Sequence, residues 1–132
     1  MNSNKKISEA DIRTRFSILW IVVMLNMIFA DILTLFIPEF LQNFVSGTTP
    51  FPITQQVMLV MAIIIEIPII MILLSQILKP KTNYWTNIIA SIITIIFVVG
   101  GGSLIPHYIF FATIEVICLA MIIRYASKLL KQ

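Results

Sequence analysis

The sequence predicts an all-α protein, a bundle of four transmembrane helices with both termini on the cytoplasmic side. Three observations predict it. Of 132 residues, 59% are hydrophobic, and the mean hydropathy of +1.01 is too high for an ordinary soluble domain. Four apolar stretches approach the about 20 residues needed to cross roughly 30 Å of hydrocarbon. Finally, all nine Lys and Arg fall on one side of the membrane those stretches define. Lys5, Lys6, Arg13 and Arg15 precede the first stretch, and Lys79 and Lys81 separate the second from the third. Arg124, Lys128 and Lys131 end the fourth. Basic residues in short loops stay on the cytoplasmic face, so the charges test the spans independently. The expectation is a single integral domain over residues 1–132, multi-pass in an inner (plasma) membrane, with the lipid bilayer as its first partner. The isoelectric point near 9.3 implies no nucleic acid, because orientation and anionic headgroups account for the basic residues. The single Cys118 excludes an intramolecular disulfide.

Span one is expected over about 16–37, stopped by Pro38, because the residue before a proline is biased away from helix. Its apolar run continues past Ala30 to Ile37, which suits an uncleaved anchor rather than a signal peptide. In the connection that follows, Phe40, Leu41, Phe44 and Val45 recur at helical spacing and suit either a short interfacial helix or an ordered apolar loop. Span two is expected over about 56–78, where Pro68 withholds a hydrogen bond from the carbonyl of Ile64 and should kink the helix. Span three covers about 84–99 and ends at Gly100-Gly101-Gly102, which loosens the backbone. Span four covers about 106–125, opening on Pro106, a residue suited to a first helical turn. Trp20, Tyr84, Trp85 and Tyr125 are expected at the cytoplasmic interface, with Tyr108 near the opposite one.

Only six residues are acidic, and Asp31, Glu66 and Glu115 lie inside spans. Burying Asp at a helix centre costs about 2.5–3.5 kcal/mol on insertion scales, so such residues are seldom idle. Counted from the outer helix ends at about 1.5 Å per residue, the three lie roughly 9, 15 and 12 Å deep. Matched depth permits a common site, and carboxyls gathered in an apolar site cannot all be ionised together. Asp31 shares a face with Met27 and Thr34, Glu66 with Gln55, and Glu115 with Tyr108. Asn87, Ser91 and Thr94 form a polar stripe with Ala90 that suits helix packing or hydrogen bonding to the acids. His107 lies above Glu115 and either joins the site or marks the helix start. Asn26 points about 140° away from Asp31 and is expected to contact a different neighbour.

No metal is expected, because no His follows Glu66 or Glu115 by three, as the paired motifs of di-iron bundles require. Nothing calls for a cofactor. Phosphate loops are absent, and the three glycines have no Lys after them.

Several segments resemble a family of short bacterial membrane proteins catalogued as domain of unknown function 6326. They are Ser17-Ile18-Leu19-Trp20, Ala30-Asp31 with Leu33-Thr34-Leu35-Phe36-Ile37-Pro38, Ile67-Pro68, Met71-Ile72 and Leu74-Ser75. The inner loop from Leu78 to Trp85, with Asn87-Ile88-Ile89, is the most specific, and Tyr108-Ile109-Phe110-Phe111 and Ile114-Glu115 complete the set. The resemblance implies a four-helix integral membrane protein and carries over Asp31 and Glu115 as family-type acids; it implies no activity.

Three functions compete. The first binds or transports a small molecule, cation or proton through the outer-half acids, working as a homodimer or larger oligomer. The second is a membrane enzyme or binding module for a lipid-like ligand, using the acids as a general acid/base pair. In the third, an accessory subunit, the acids only lock helix packing. Binding or transport ranks first, and an enzyme lower.

Overall fold

A computed structural model describes residues 7–131; the expected charges Lys5 and Lys6 lie outside them. Five helices form: α1 Glu9–Leu35, α2 Pro38–Ser46, α3 Gln55–Ile77, α4 Pro80–Gly100 and α5 Pro106–Leu130. No strand occurs among the described residues. Helices α1, α3, α4 and α5 are each long and apolar enough to cross a membrane, which makes the chain a multi-pass membrane protein.

Local chemistry sets the helix ends. Ser8 caps α1 by accepting from the Asp11 amide at 3.2 Å while its own amide donates to the Asp11 carboxylate at 3.3 Å, a reciprocal box that satisfies two orphan donors. The helix therefore starts seven residues before the expected Phe16, where hydropathy is silent but capping is not. Three prolines, Pro38, Pro80 and Pro106, occupy first turns. The residues before them, Ile37, Lys79 and Ile105, are extended (ψ 116°, 148° and 136°), as proline requires of its predecessor. Pro80 starts α4 four residues before the expected Tyr84, and α5 runs past Tyr125 to Leu130. Gly47 closes α2 at φ 71°, a left-handed conformation that favours glycine.

The spans run up and down in a ring in which α1 packs on α3 and α5, and α4 packs on the same two helices. Every neighbouring pair is antiparallel, as short connections dictate. All described Lys and Arg lie at one end, here called the basic end; the end carrying α2 is the distal end. Phe16, Trp20, Val23, Met71, Leu119, Ile122 and Ala126 make up the centre of the core. Trp20 is fully buried, which corrects its expected place in an interfacial belt. It has a polar partner inside the bundle, so its N–H does not need water. Asn26 donates to the Val22 carbonyl of its own helix at 2.7 Å.

α2 buries none of its residues and touches α1. Leu41, Phe44 and Val45 are exposed on it, so the short-helix alternative is the one that forms.

Candidate functional site

α1, α4 and α5 bring chemistry to the distal half. On α5 the buried residues Glu115, Cys118, Leu119, Ile122 and Ala126 follow helical spacing, which turns Glu115 into the bundle. Glu115 is only 2% exposed. Asp31 stands on the α1 line that carries buried Met24 and Met27, but nearer the distal end, where it is exposed. Asp31, Glu115 and the Tyr108 hydroxyl lie within electrostatic range of one another. Tyr108 donates to the Val98 carbonyl at 3.3 Å. Its ring lies against Gly102, where an added Cβ would sit 2.7 Å from Tyr108 Cε1; glycine there permits the close approach. His107 Nε2 pairs with Thr34 Oγ1 at 3.0 Å, tying α1 to α5 just above the acids.

Ser91 and Thr94 line the α4 side, both buried. Thr94 donates back to the Ala90 carbonyl at 2.8 Å. Ser91 Oγ is the fully buried side-chain polar atom without a hydrogen-bond partner among the described residues. Ser91 is nine residues below Gly100 and Glu115 nine below Pro106, so both lie about 14 Å from their distal helix ends. No hydrogen bond from a described residue reaches the Glu115 carboxyl; the bonds around it go to Ala90, Val98 and His107.

Glu66 does not join them. It is exposed, as is Gln55, which corrects the inward face expected for α3. The buried residues of α3 are Pro68, Met71 and Ser75. At about 100° per residue they lie roughly 140° to 200° around the helix from Glu66, its far side. The expected three-acid cluster therefore loses Glu66, and Asp31 and Glu115 remain within electrostatic range of each other. No group of three His, Cys, Asp or Glu able to hold a metal ion occurs among the described residues.

Asn87 leaves the distal group as well and organises a second polar cluster at the basic end. Its Oδ1 accepts from Trp20 Nε1 at 2.7 Å and Ser75 Oγ at 3.3 Å. Its Nδ2 donates to the Asn83 carbonyl at 2.9 Å and to Asn83 Oδ1 at 2.8 Å. All four bonds an amide can make are filled. Asn83 Nδ2 donates to the Ser75 carbonyl at 2.8 Å. Beside them Ser17 Oγ donates to the Ile72 carbonyl and accepts from Gln76 Nε2, both at 2.8 Å, and Arg13 donates to the Gln76 carbonyl. Reasoning from sequence missed Trp20, Ser75 and Asn83. The signal was present as Asn83 and Asn87 four apart on α4, facing the Pro68–Met71–Ser75 side of α3.

Along the α4–α5 seam a groove of about 380 Å³ opens at the distal end, lined by Val98, Leu104, Ile109, Val116 and Tyr108.

No curated protein and no solved structure matches the chain. The segments that carried the resemblance, from Ser17 to Glu115, lie inside a family match that spans residues 5–132, and the chain belongs to that family, described as a family of unknown function (DUF6326).

Proposed function

We propose that this protein binds a proton or a small cation between Asp31 and Glu115 and exchanges it with the distal side of a plasma membrane, both termini being cytoplasmic. One observation carries the reading. A buried carboxyl, Glu115, has a second acid within electrostatic range and, among the described residues, neither a hydrogen-bond partner nor a Lys or Arg at its end of the bundle. A charge in a low-dielectric site must be paired or neutralised, and the described residues place no Lys or Arg there. A proton or a bound cation supplies what is missing. Ser91, level with Glu115 and unpartnered, offers a neutral oxygen to either. Tyr108 and the Thr34–His107 pair stand between the acids and the distal surface.

The test is a pH gradient across vesicles containing the purified protein and an internal pH dye, repeated with sodium and potassium gradients. The protein is expected to discharge at least one gradient, and Asp31→Asn and Glu115→Gln are each expected to slow this at least about tenfold, the effect of roughly 1.4 kcal/mol. Rates indistinguishable from protein-free vesicles under every gradient would overturn the reading.

The α4–α5 groove favours a second reading, a lipid-like ligand whose apolar body lies along Val98, Ile109 and Val116 with its polar end at Tyr108. Mass spectrometry of the purified protein is then expected to find one lipid enriched, and Ala112→Phe, at a position that also lines the groove, to remove it by filling the space.

A further inference from the structure

We infer that α3 is a self-association helix: two copies of the chain pair along its outward face, and Glu66 of each meets Glu66 of the other at the axis between them. α3 gives Pro68, Met71 and Ser75 to its own bundle. On the opposite side Leu59, Ile63, Glu66, Ile70, Leu73 and Ile77 are all exposed, at spacings of 4, 3, 4, 3 and 4 residues. That alternation is the seam of a left-handed helix pair, in which each side chain enters a hole on an identical neighbour. From Leu59 to Ile77 the seam is about 27 Å long, close to the thickness of the hydrocarbon layer.

An apolar seam alone would carry nothing, because lipid covers it equally well. The outward faces of α1, with Ile18, Ile21, Leu25 and Ile28, and of α4, with Ile89, Ile92 and Ile96, are of that kind. Glu66 sets α3 apart. It lies eleven residues from Gln55, about 16 Å below that helix end and thus near the bilayer centre. It faces out of the bundle, and no hydrogen bond from a described residue reaches it. Acyl chains offer a carboxyl nothing, so such residues turn toward a partner.

The partner is a second copy because a carboxyl is its own complement: the O–H of one donates to the oxygen of the other. A two-fold axis along the membrane normal puts two parallel α3 helices together at equal depth. A lone polar residue in an apolar seam also fixes register and strand number. This interface lies on the face of α3 turned away from its own bundle and does not depend on the Asp31–Glu115 reading.

Cys118 is the only cysteine, so Cys118→Ala provides a background for single cysteines in the full chain, reconstituted in phosphatidylcholine vesicles. Oxidation is expected to yield covalent dimers from cysteines at Leu59, Ile63, Ile70 and Leu73 at least about fivefold more than from flanking Val60 and Ile69 or from Leu25 on α1, as one-sided packing demands. By Förster transfer, Glu66→Leu is expected to weaken dimerisation about fivefold, the factor set by one interhelical hydrogen bond of about 1 kcal/mol. Glu66→Gln, whose amide is also self-complementary, is expected to retain wild-type dimerisation. Glu66→Leu places an apolar group on a face that packs against nothing in its own bundle, so a fold unchanged by circular dichroism keeps the comparison clean. Equal yields on and off the seam, Glu66→Leu dimers as tight as wild type, or a monomer at every protein-to-lipid ratio would each overturn the inference.

Discussion

Asn87 and Glu115 are both buried polar residues on spanning helices, yet their surroundings give them opposite roles. Asn87 makes every hydrogen bond its amide allows and joins α1, α3 and α4. A satisfied buried network holds helices in one arrangement, and breaking it leaves donors stranded. Asn87→Ala is expected to lower unfolding free energy by about 1–3 kcal/mol, because the Trp20 N–H and the Ser75 hydroxyl lose their acceptor. Unfolding in mixed detergent and SDS micelles measures it. Ser91→Ala removes a hydroxyl with no partner among the described residues and is expected to leave stability within about 0.5 kcal/mol. A loss from Ser91→Ala as large as that from Asn87→Ala would mean the hydroxyl has a partner after all. Sequence singled out the Asn87–Ser91–Thr94 stripe but treated it as one group. The structure divides it by depth, with Asn87 in the basic-end network and Ser91 level with Glu115.

At the scale of elements, α2 and α3 show how far periodicity reaches. The spacing of Phe40, Leu41, Phe44 and Val45 allowed a short helix, Pro38 at its start and Gly47 at its end make it one, and the absence of buried residues leaves its apolar side uncovered. Such a helix rests at the depth of the headgroups. Phe44→Trp is expected to be quenched more by lipids brominated near the headgroup than by lipids brominated at the chain end. Equal or reversed quenching would place α2 off the surface. α3 was legible as a span, since its apolar run is long enough to cross. Its orientation about its own axis was not, because nearly every residue on it is apolar and its hydropathy has no preferred side. Pro68, Met71 and Ser75 face the core, and only contact with α1 and α4 reveals that Glu66 points the other way.

For the whole molecule, the ring α1–α3–α4–α5 places all described basic residues at one end. That geometry makes the orientation testable. With Cys118→Ala as background, Thr49→Cys is expected to react with a membrane-impermeant maleimide on intact cells. Lys81→Cys is expected to react only after lysis, as short basic loops stay on the cytoplasmic side. The reverse pattern would invert the protein and put the Asp31–Glu115 pair on the cytoplasmic side. The one ion pair among the described residues, Arg13 with Glu9 at 2.6 Å, is on the α1 surface at the basic end and leaves the acids of the distal half untouched.

The sequence by itself determined the number of membrane-spanning helices, the segregation of charge and the depth of each acid along its helix. Length, hydropathy and residue count along a helix of constant rise are one-dimensional quantities, readable without knowing any neighbour. Only the tertiary structure decided which acids face the bundle. Rotation about a helix axis is set by packing against other helices, and where a span is apolar all round no pattern in the chain encodes it. For that reason Glu115 turns into the bundle, Glu66 turns out, and Trp20 leaves the interface for the amide of Asn87.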